Sequence, residues 1–187
     1  MFHKQTIKDI DISGKTVLVR ADYNVPLKDG LITDDYRVQK SLPTIQHLLD
    51  KNCKVVICSH LGRPESVDKQ YSLASVAIRL SELLHKQVGF ATDCVGQESR
   101  EKIQNLGHGE VLLLENLRFH SEEEANDDHF AQKLVENIDV FVQDGFGVVH
   151  RAHASTDAAT RHVHSVAGCL LEQEVQAING VMEQPER

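Results

Sequence analysis

The chain has 187 residues and a formal net charge of −8, with 28 acidic and 20 basic residues. Hydrophobic residues make up 41% and charged residues 26% of the sequence, which argues against a disordered or membrane protein. The acidic balance argues against nonspecific nucleic-acid binding, which needs a basic face. The length suits one domain, or one domain and a small part of another.

The N-terminus and the cysteines indicate the compartment. Residues 1–6 lack the apolar run of a signal peptide, and no apolar stretch approaches the roughly 20 residues that cross a bilayer. We therefore expect a cytoplasmic protein with no membrane partner. The cysteines show no Cys-x-x-Cys spacing, which favours reduced, mostly buried thiols over zinc or a disulfide. They are Cys53, Cys58, Cys94 and Cys169.

Strand and helix signals alternate along the chain. Apolar runs predict strands at residues 15–24, 54–59, 88–91, 110–116 and 139–142. Helices are predicted at residues 35–52, 73–86, 97–106, 128–136 and 170–182. Pro43, inside the first of these helices, predicts a kink or a late start. The order predicts an α/β fold, a three-layer sandwich with a mostly parallel, Rossmann-like sheet and helices on both faces.

The predicted strands end in polar and cationic residues. The longest such stretch is 144–156, Asp-Gly-Phe-Gly-Val-Val-His-Arg-Ala-His-Ala-Ser-Thr, which brings His150, Arg151 and His153 directly after a strand. Three earlier runs end in a similar way, in Arg20, Asp22 and Asn24, in Ser59, His60 and Arg63, and in Glu115 and Arg118. Open α/β sheets bind ligands at the carboxyl ends of their strands. The pattern therefore predicts an arginine-rich anion site.

The residue types at these strand ends indicate the ligand class. Arginine offers planar, bidentate donors to carboxylate and phosphate. Arg37, in the first turn of a predicted helix, would lie close to the strand ends. Asp22 and Asn24 alternate on one strand end and could bind hydroxyl groups. Together they predict a phosphorylated, hydroxylated carboxylic acid.

Each of these residues taken alone also has a purely structural interpretation. Arg20 and Asp22 could form an ion pair, and His60 could be a capped loop histidine. Arg118 could be a surface charge, and Arg37 a solvent-exposed helical arginine. The recurrence at several strand ends favours the anion site.

Several motif-like features do not support other functions. Gly-Lys-Thr at 14–16 lacks the upstream glycine of a phosphate-binding loop, and Gly-Phe-Gly at 145–147 lacks the third glycine of a dinucleotide fingerprint. The acidic run 122–124 is interpreted as the solvated start of a helix. The His-x-His at 162–164 has no third ligand at useful spacing and is interpreted as an exposed loop.

Segments spread over most of the chain resemble, in order, the N-terminal domain of the phosphoglycerate kinase family. They are Val-Arg-Ala-Asp-Tyr-Asn-Val-Pro at 19–26, Asp-Tyr-Arg at 35–37, Leu-Pro-Thr-Ile at 42–45, Ser-His-Leu-Gly-Arg-Pro at 59–64, Leu-Glu-Asn-Leu-Arg-Phe at 114–119, and 144–156. The resemblance implies that this part binds 3-phosphoglycerate. The substrate-binding residues it implies are Asp22, Tyr23, Asn24, Arg37, His60, Leu61, Gly62, Arg63, Arg118, Arg151 and His153. Arg37 is implied to be catalytic, because it stabilises the transferring phosphoryl group in the family.

The resemblance also implies a reaction and a partner. The reaction is reversible phosphoryl transfer between 1,3-bisphosphoglycerate and ADP, which gives 3-phosphoglycerate and ATP in glycolysis. Residues 1–168 are expected to form the substrate domain, and 169–187 the hinge-proximal helix and the start of a linker. The Mg-ATP or Mg-ADP would be bound by a C-terminal nucleotide-binding domain, so no cofactor site is expected in this chain. We expect a monomer that does not turn over alone.

Two departures from the family pattern leave alternatives open. The family usually has Asn-Asp-Ala-Phe-Gly-Thr-Ala-His-Arg, whereas residues 143–151 have Gly145 and Val148 at the alanine and threonine positions. Residues 157–164 also differ from the usual apolar sequence. One alternative is a noncatalytic phospho-carboxylate-binding module. Another, independent of these departures, is a different doubly wound enzyme, such as a nucleotide- or cofactor-dependent oxidoreductase, which the incomplete fingerprints at 14–16 and 145–147 leave with little support.

Overall fold

A computed structural model of the chain describes residues 4–183. The strands are β1 (Thr16–Arg20), β2 (Leu27–Lys28), β3 (Leu31–Ile32), β4 (Lys54–Cys58), β5 (Val88–Phe90), β6 (Val111–Leu113), β7 (Val140–Gln143) and β8 (Ser165–Ala167). The helices are α1 (Tyr36–Asp50), α2 (Ala74–Leu84), α3 (Gln97–Asn105), α4 (Ser121–Glu124), α5 (Asp128–Leu134) and α6 (Cys169–Glu183). Short 3₁₀ turns occupy several of the connections.

Six of the strands form one sheet in the order β5-β6-β4-β1-β7-β8, and every pair is parallel. The other two strands, β2 and β3, form a small antiparallel hairpin. Parallel strands end at the same edge, so the segments that follow β1, β4, β6 and β7 all emerge on one side of the sheet. The predicted strand-end residues therefore lie along one edge of the sheet.

The sheet is buried on both faces because its strands are almost continuously apolar. In β1, Val17 and Val19 point to one core and Leu18 to the other. The first core contains residues of α1 and α2, and the second contains residues of α3 and α5. The predicted three-layer α/β fold with helices on both faces is therefore confirmed.

The observed elements differ from the predicted ones in a few places. Strand β1 ends at Arg20, and the residues that follow it form a loop. Strand β8 and the β2–β3 hairpin were not predicted, because runs of two or three residues are too short to show a period. Helix α1 begins at Tyr36 and continues through Pro43, so this proline does not delay its start. No helix in the described part of the chain combines the length and apolarity that a bilayer crossing requires.

Candidate functional site

The candidate site lies at the carboxyl edge of the sheet, where the segments after β1, β4, β6 and β7 meet. Arg20 ends β1, His60 follows β4, Arg118 follows β6, and the 144–156 segment follows β7. The charges of Arg20, Arg118, Arg151 and His153 all act on His60. Those of Arg151, Arg20 and Arg63 act on Arg118. The structure thus brings five of the six predicted basic strand-end residues into one neighbourhood around His60: Arg20, Arg63, Arg118, Arg151 and His153.

Arg20 is the buried centre of this group, with 1% of its surface exposed. Its Nε donates to Ser155 Oγ at 2.8 Å, and its terminal nitrogens contact the Ala21 carbonyl and His60 Nδ1, the latter at 3.3 Å. A buried cation needs paired or hydrogen-bonded neighbours to offset its lost hydration. Arg20 finds them in the loops after β4 and β7.

Glu123 supplies the negative charge nearest to this network. Its side chain is fully buried, its Oε1 accepts from Ser155 Oγ at 2.6 Å, and its Oε2 accepts from the Ser155 N–H at 2.9 Å. The interpretation of residues 122–124 as a solvated helix start is therefore wrong for the middle residue. The short helix α4 turns Glu123 inward while its two neighbours face solvent.

His60 is held neutral by its surroundings. Burial, reinforced by the charges of Arg20, Arg118, Arg151 and His153, lowers the pKa of His60 to about 2. Arginine can only donate, so the contact with Arg20 makes His60 Nδ1 an acceptor. The ring proton is therefore on Nε2.

Arg118 helps to connect the loop after β6 with the loop after β4. Its guanidinium donates to the Gly62 carbonyl, and its Nε lies 3.0 Å from the exposed Glu124 carboxylate. Burial lowers the pKa of Arg118, whereas Glu124 raises it. The Asn116 side chain completes the link: its Oδ1 accepts from the Leu61 and Arg118 N–H groups at 3.2 and 3.0 Å.

Asp22 and Arg37 form an ion pair at the start of α1. The Asp22 side chain is 8% exposed and the Arg37 side chain 48% exposed, so Arg37 offers the more accessible surface. Gly147 lies against the pair, since a Cβ there would be 2.6 Å from Asp22 Oδ2. Only glycine at 147 leaves this pairing undisturbed.

Asn24 and Gly62 join the loops after β1 and β4. The Gly62 N–H donates to Asn24 Oδ1 at 2.9 Å, and Asn24 is exposed. Gly62 has φ +63°, a conformation that side chains rarely adopt, and a Cβ there would overlap the Tyr71 ring. Both the positive φ and the close approach of the Tyr71 ring therefore favour glycine at position 62.

Tyr23 and Leu61 are placed differently from the other predicted residues. Both side chains are buried in the core, and the Tyr23 hydroxyl lies 2.8 Å from Ser41 Oγ. Their backbone N–H groups donate to Ser59 Oγ and Asn116 Oδ1. In this structure both side chains belong to the core, and both backbone N–H groups are already engaged.

Arg63, Arg151 and His153 are the accessible members of the group. Arg63 is exposed, and Arg151 and His153 are partly buried. Burial lowers the pKa of His153, although Glu123, whose Oε1 lies 3.9 Å from His153 Nδ1, opposes that shift. These side chains are the ones that a ligand can reach from solvent.

One group among the described residues could hold a metal ion, because the ligand atoms of Asp93, Cys94 and His120 lie within 4.8 Å of one another. His120 Nε2 is 2.7 Å from Asp93 Oδ1, which also accepts from the Cys94 N–H at 2.7 Å. Burial raises the pKa of the Cys94 thiol well above its usual value. These contacts satisfy the groups without a metal, and we interpret them as an ion pair beside a buried thiol.

The supporting residues were harder to find from sequence than the cations. Asn116 and Ser155 lie within polar strand-end stretches but have no distinguishing pattern. Glu123 sits in an acidic run that is typical of a solvated helix. Asp144 was assigned no role, yet it is buried and its Oδ1 accepts from the Leu170 N–H at 2.9 Å, which caps α6.

The chain matches known proteins over nearly its whole length. A family model described as phosphoglycerate kinase matches residues 7–187. A phosphoglycerate kinase of Dictyoglomus turgidum is 50% identical over 187 residues, which cover 98% of this chain and 47% of that protein. One of Aquifex aeolicus is 48% identical over 189 residues, covering 100% of this chain and 48% of that protein.

Solved structures agree with the sequence matches. The crystal structure of phosphoglycerate kinase from Pyrococcus horikoshii superposes with a TM-score of 0.89 at 37% identity, covering 98% of this chain and 47% of that one. The structure of phosphoglycerate kinase from Coxiella burnetii gives 0.87 at 37% identity, covering 98% and 46%. The chain spans about half the length of the relatives it matches. It belongs to the phosphoglycerate kinase family.

Proposed function

We propose that this chain is the substrate-binding half of a phosphoglycerate kinase and binds 3-phosphoglycerate and 1,3-bisphosphoglycerate. The observation that carries the proposal is the cation group around His60, at the edge where α/β sheets bind ligands. Arg63, Arg118 and Arg151 would bind the phosphate and carboxylate, with His60 and His153 beside them. Family membership supports the same assignment.

Asp22, Asn24 and Arg37 would act at the other side of the site. Asn24 is exposed and its side chain is already fixed by the Gly62 N–H, so it could bind the hydroxyl or carboxylate of the ligand without much loss of side-chain freedom. Asp22 holds Arg37 at the sheet edge. Phosphoryl transfer depends on positioning and charge neutralisation more than on covalent chemistry, so a held arginine at this point would stabilise the transferring group.

The nucleotide would come from a second domain. We propose that Mg-ATP or Mg-ADP binds to a C-terminal nucleotide-binding domain and that helix α6 leads toward it, with residues 1–168 as the substrate domain. The relatives are about twice the length of this chain, which supports the proposal. A role in glycolysis and a cytoplasmic location rest on family membership alone.

The departures at Gly145 and Val148 do not favour a noncatalytic module. A Cβ on Gly145 would lie 3.0 Å from Val148 Cγ2, so the glycine makes room for the valine. Val148 is 2% exposed, so its side chain is buried in this space. Gly145 in place of alanine therefore leaves space for Val148 in place of threonine.

A turnover assay tests the proposal. Residues 1–187 alone should form no ATP from 1,3-bisphosphoglycerate and MgADP, because the proposed nucleotide site lies outside them. Addition of the separately produced nucleotide-binding half of a family member should restore turnover. Arg37→Ala should abolish the restored turnover and leave 3-phosphoglycerate affinity within about threefold, since an interaction made mainly in the transition state lowers kcat. Robust ATP formation by residues 1–187 alone would refute the two-half scheme.

A further inference from the structure

A continuous chain of hydrogen bonds runs from the buried Glu123 to the surface of the site. Glu123 Oε1 accepts from the Ser155 hydroxyl at 2.6 Å, and that hydroxyl accepts from Arg20 Nε at 2.8 Å. Arg20 in turn contacts His60 Nδ1 at 3.3 Å. Glu123, Ser155, Arg20 and His60 are all at most 3% exposed.

The donor directions in this chain are fixed by chemistry. A carboxylate only accepts, so the single proton of the Ser155 hydroxyl is committed to Glu123 and its oxygen is free to accept from Arg20. Arginine only donates, so Nδ1 of His60 must be the acceptor. Each link orients the next, and the last link fixes where the proton of the His60 ring sits.

The remaining nitrogen of His60, Nε2, is free of the chain. Among the described residues, no hydrogen bond uses His60 Nε2, and this atom is absent from the fully buried polar atoms that lack a partner. This nitrogen is therefore not fully buried. A neutral ring with its proton on Nε2 has an N–H donor available at this atom.

We infer that Glu123 is a positioning residue of the anion site: through Ser155 and Arg20 it holds His60 in the Nε2–H tautomer, so that His60 donates a hydrogen bond to the bound phosphate or carboxylate. The inference rests on the proposed function for the identity of the anion. The tautomer itself does not depend on that identity.

The buried charge of Glu123 cannot be replaced by an amide of the same shape. Both of its oxygens accept from Ser155, one from the hydroxyl and one from the backbone N–H. In one orientation a glutamine would direct its NH₂ group at the Ser155 N–H, and in the other its NH₂ group would donate to the Ser155 hydroxyl and leave the hydroxyl proton without its acceptor. Glu123→Gln therefore loses or reverses one of the two bonds to Ser155 and also removes the charge that offsets Arg20.

The first measurement is long-range ¹H–¹⁵N NMR of the ring nitrogens of His60 in the unmodified chain at pH 7. We expect Nε2 to be protonated and Nδ1 to be unprotonated. A predominant Nδ1–H tautomer or a charged ring would overturn the inference, and this result needs no variant to fold.

The second measurement compares Glu123→Gln and Ser155→Ala with Glu122→Gln, an exposed neighbour with the same chemical change. The two chain variants should show mixed His60 tautomers and at least about tenfold weaker 3-phosphoglycerate binding, as expected from loss of a hydrogen bond to a charged group. Glu122→Gln should match the unmodified chain. Circular dichroism establishes that each variant is folded before it is compared.

The outcomes separate the inference from the proposed function. If the unmodified chain binds 3-phosphoglycerate and both folded chain variants keep its affinity and the His60 tautomer, the positioning role of Glu123 is wrong while the function stands. If the variants change the tautomer but the unmodified chain binds no 3-phosphoglycerate, the Glu123 chain is supported and the proposed function fails.

Discussion

The side-chain oxygen of Asn24 accepts a hydrogen bond from the backbone N–H of Gly62 at 2.9 Å. The contact joins the loop after β1 to the loop after β4, two segments 38 residues apart in sequence. Both loops carry residues of the proposed substrate site. The bond therefore couples the stability of the loops to the preorganisation of the site.

Asn24→Ala should reduce both stability and affinity. The loss of this bond should lower the free energy of unfolding by about 0.5–1.5 kcal/mol, measured by urea denaturation. Asn24→Asp is the matched control, because it keeps an acceptor for the Gly62 N–H while adding a negative charge. It should retain stability but bind 3-phosphoglycerate more weakly than the unmodified chain. Equal stability of the alanine variant would show that the bond contributes nothing.

Gly62→Ala should be much more damaging than the same change at another glycine with positive φ. Gly62 has φ +63° and its Cβ would overlap the Tyr71 ring, whereas Gly30 has φ +76° with nothing within 4 Å of its Cβ. Gly30→Ala should cost about 1 kcal/mol of backbone strain. Gly62→Ala adds the steric overlap, so thermal denaturation should show a clearly larger loss. Similar losses for the two variants would argue against a tight contact with Tyr71.

The low pKa of His60 predicts how stability depends on pH. Burial, reinforced by Arg20, Arg118, Arg151 and His153, lowers the folded-state pKa to about 2 from an ordinary value of 6.5. Below pH 6.5 the unfolded chain binds a proton that the folded chain does not, so this contribution to stability is present above pH 6.5 and is lost progressively as the pH falls toward 2.

A His60→Gln variant isolates that contribution, because glutamine does not titrate and the neighbouring groups remain. Urea denaturation at pH 7.5 and pH 5 should show a larger loss of stability for the unmodified chain than for the variant. The His60 ring signals should also show no titration between these pH values. An equal pH dependence in both proteins would mean that His60 is not held neutral.

Much of the fold could be predicted from the sequence, and the reasons are physical. Continuous apolar runs such as Val55 to Ile57 indicate strands buried on both faces, and their alternation with helices predicts a parallel sheet. Strand β8 was not predicted, since Ser165, Val166 and Ala167 are too few to show a period and are placed by pairing with β7.

The cations of the candidate site were predictable, but their supports were not. Arg63, Arg118 and Arg151 follow apolar strands, and parallel topology brings strand ends together. Glu123 could not be identified, because sequence alone does not show which residue of an acidic run turns inward. The partner of Arg20 was also ambiguous: the structure pairs it with Ser155 and His60, and pairs Asp22 with Arg37.

Gly145 and Val148 should behave as a coupled pair in a double-mutant cycle. Gly145→Ala should destabilise by about 1–3 kcal/mol through overpacking, because its Cβ would lie 3.0 Å from Val148 Cγ2. Val148→Ala should destabilise by about 1–2 kcal/mol through lost burial. The double variant should lose at least about 0.5 kcal/mol less than the sum. Additive losses would show that the two positions do not compensate each other.

The central claim is tested most directly by calorimetric titration of residues 1–187 with 3-phosphoglycerate, with 2-phosphoglycerate and MgADP as controls. We predict saturable binding of the 3-isomer that is lost in Arg63→Ala and in Arg151→Ala, weaker binding of the 2-isomer, and no binding of MgADP. A folded chain that binds no 3-phosphoglycerate, or that binds both isomers equally and independently of these arginines, would contradict the claim that this sheet edge is a substrate site.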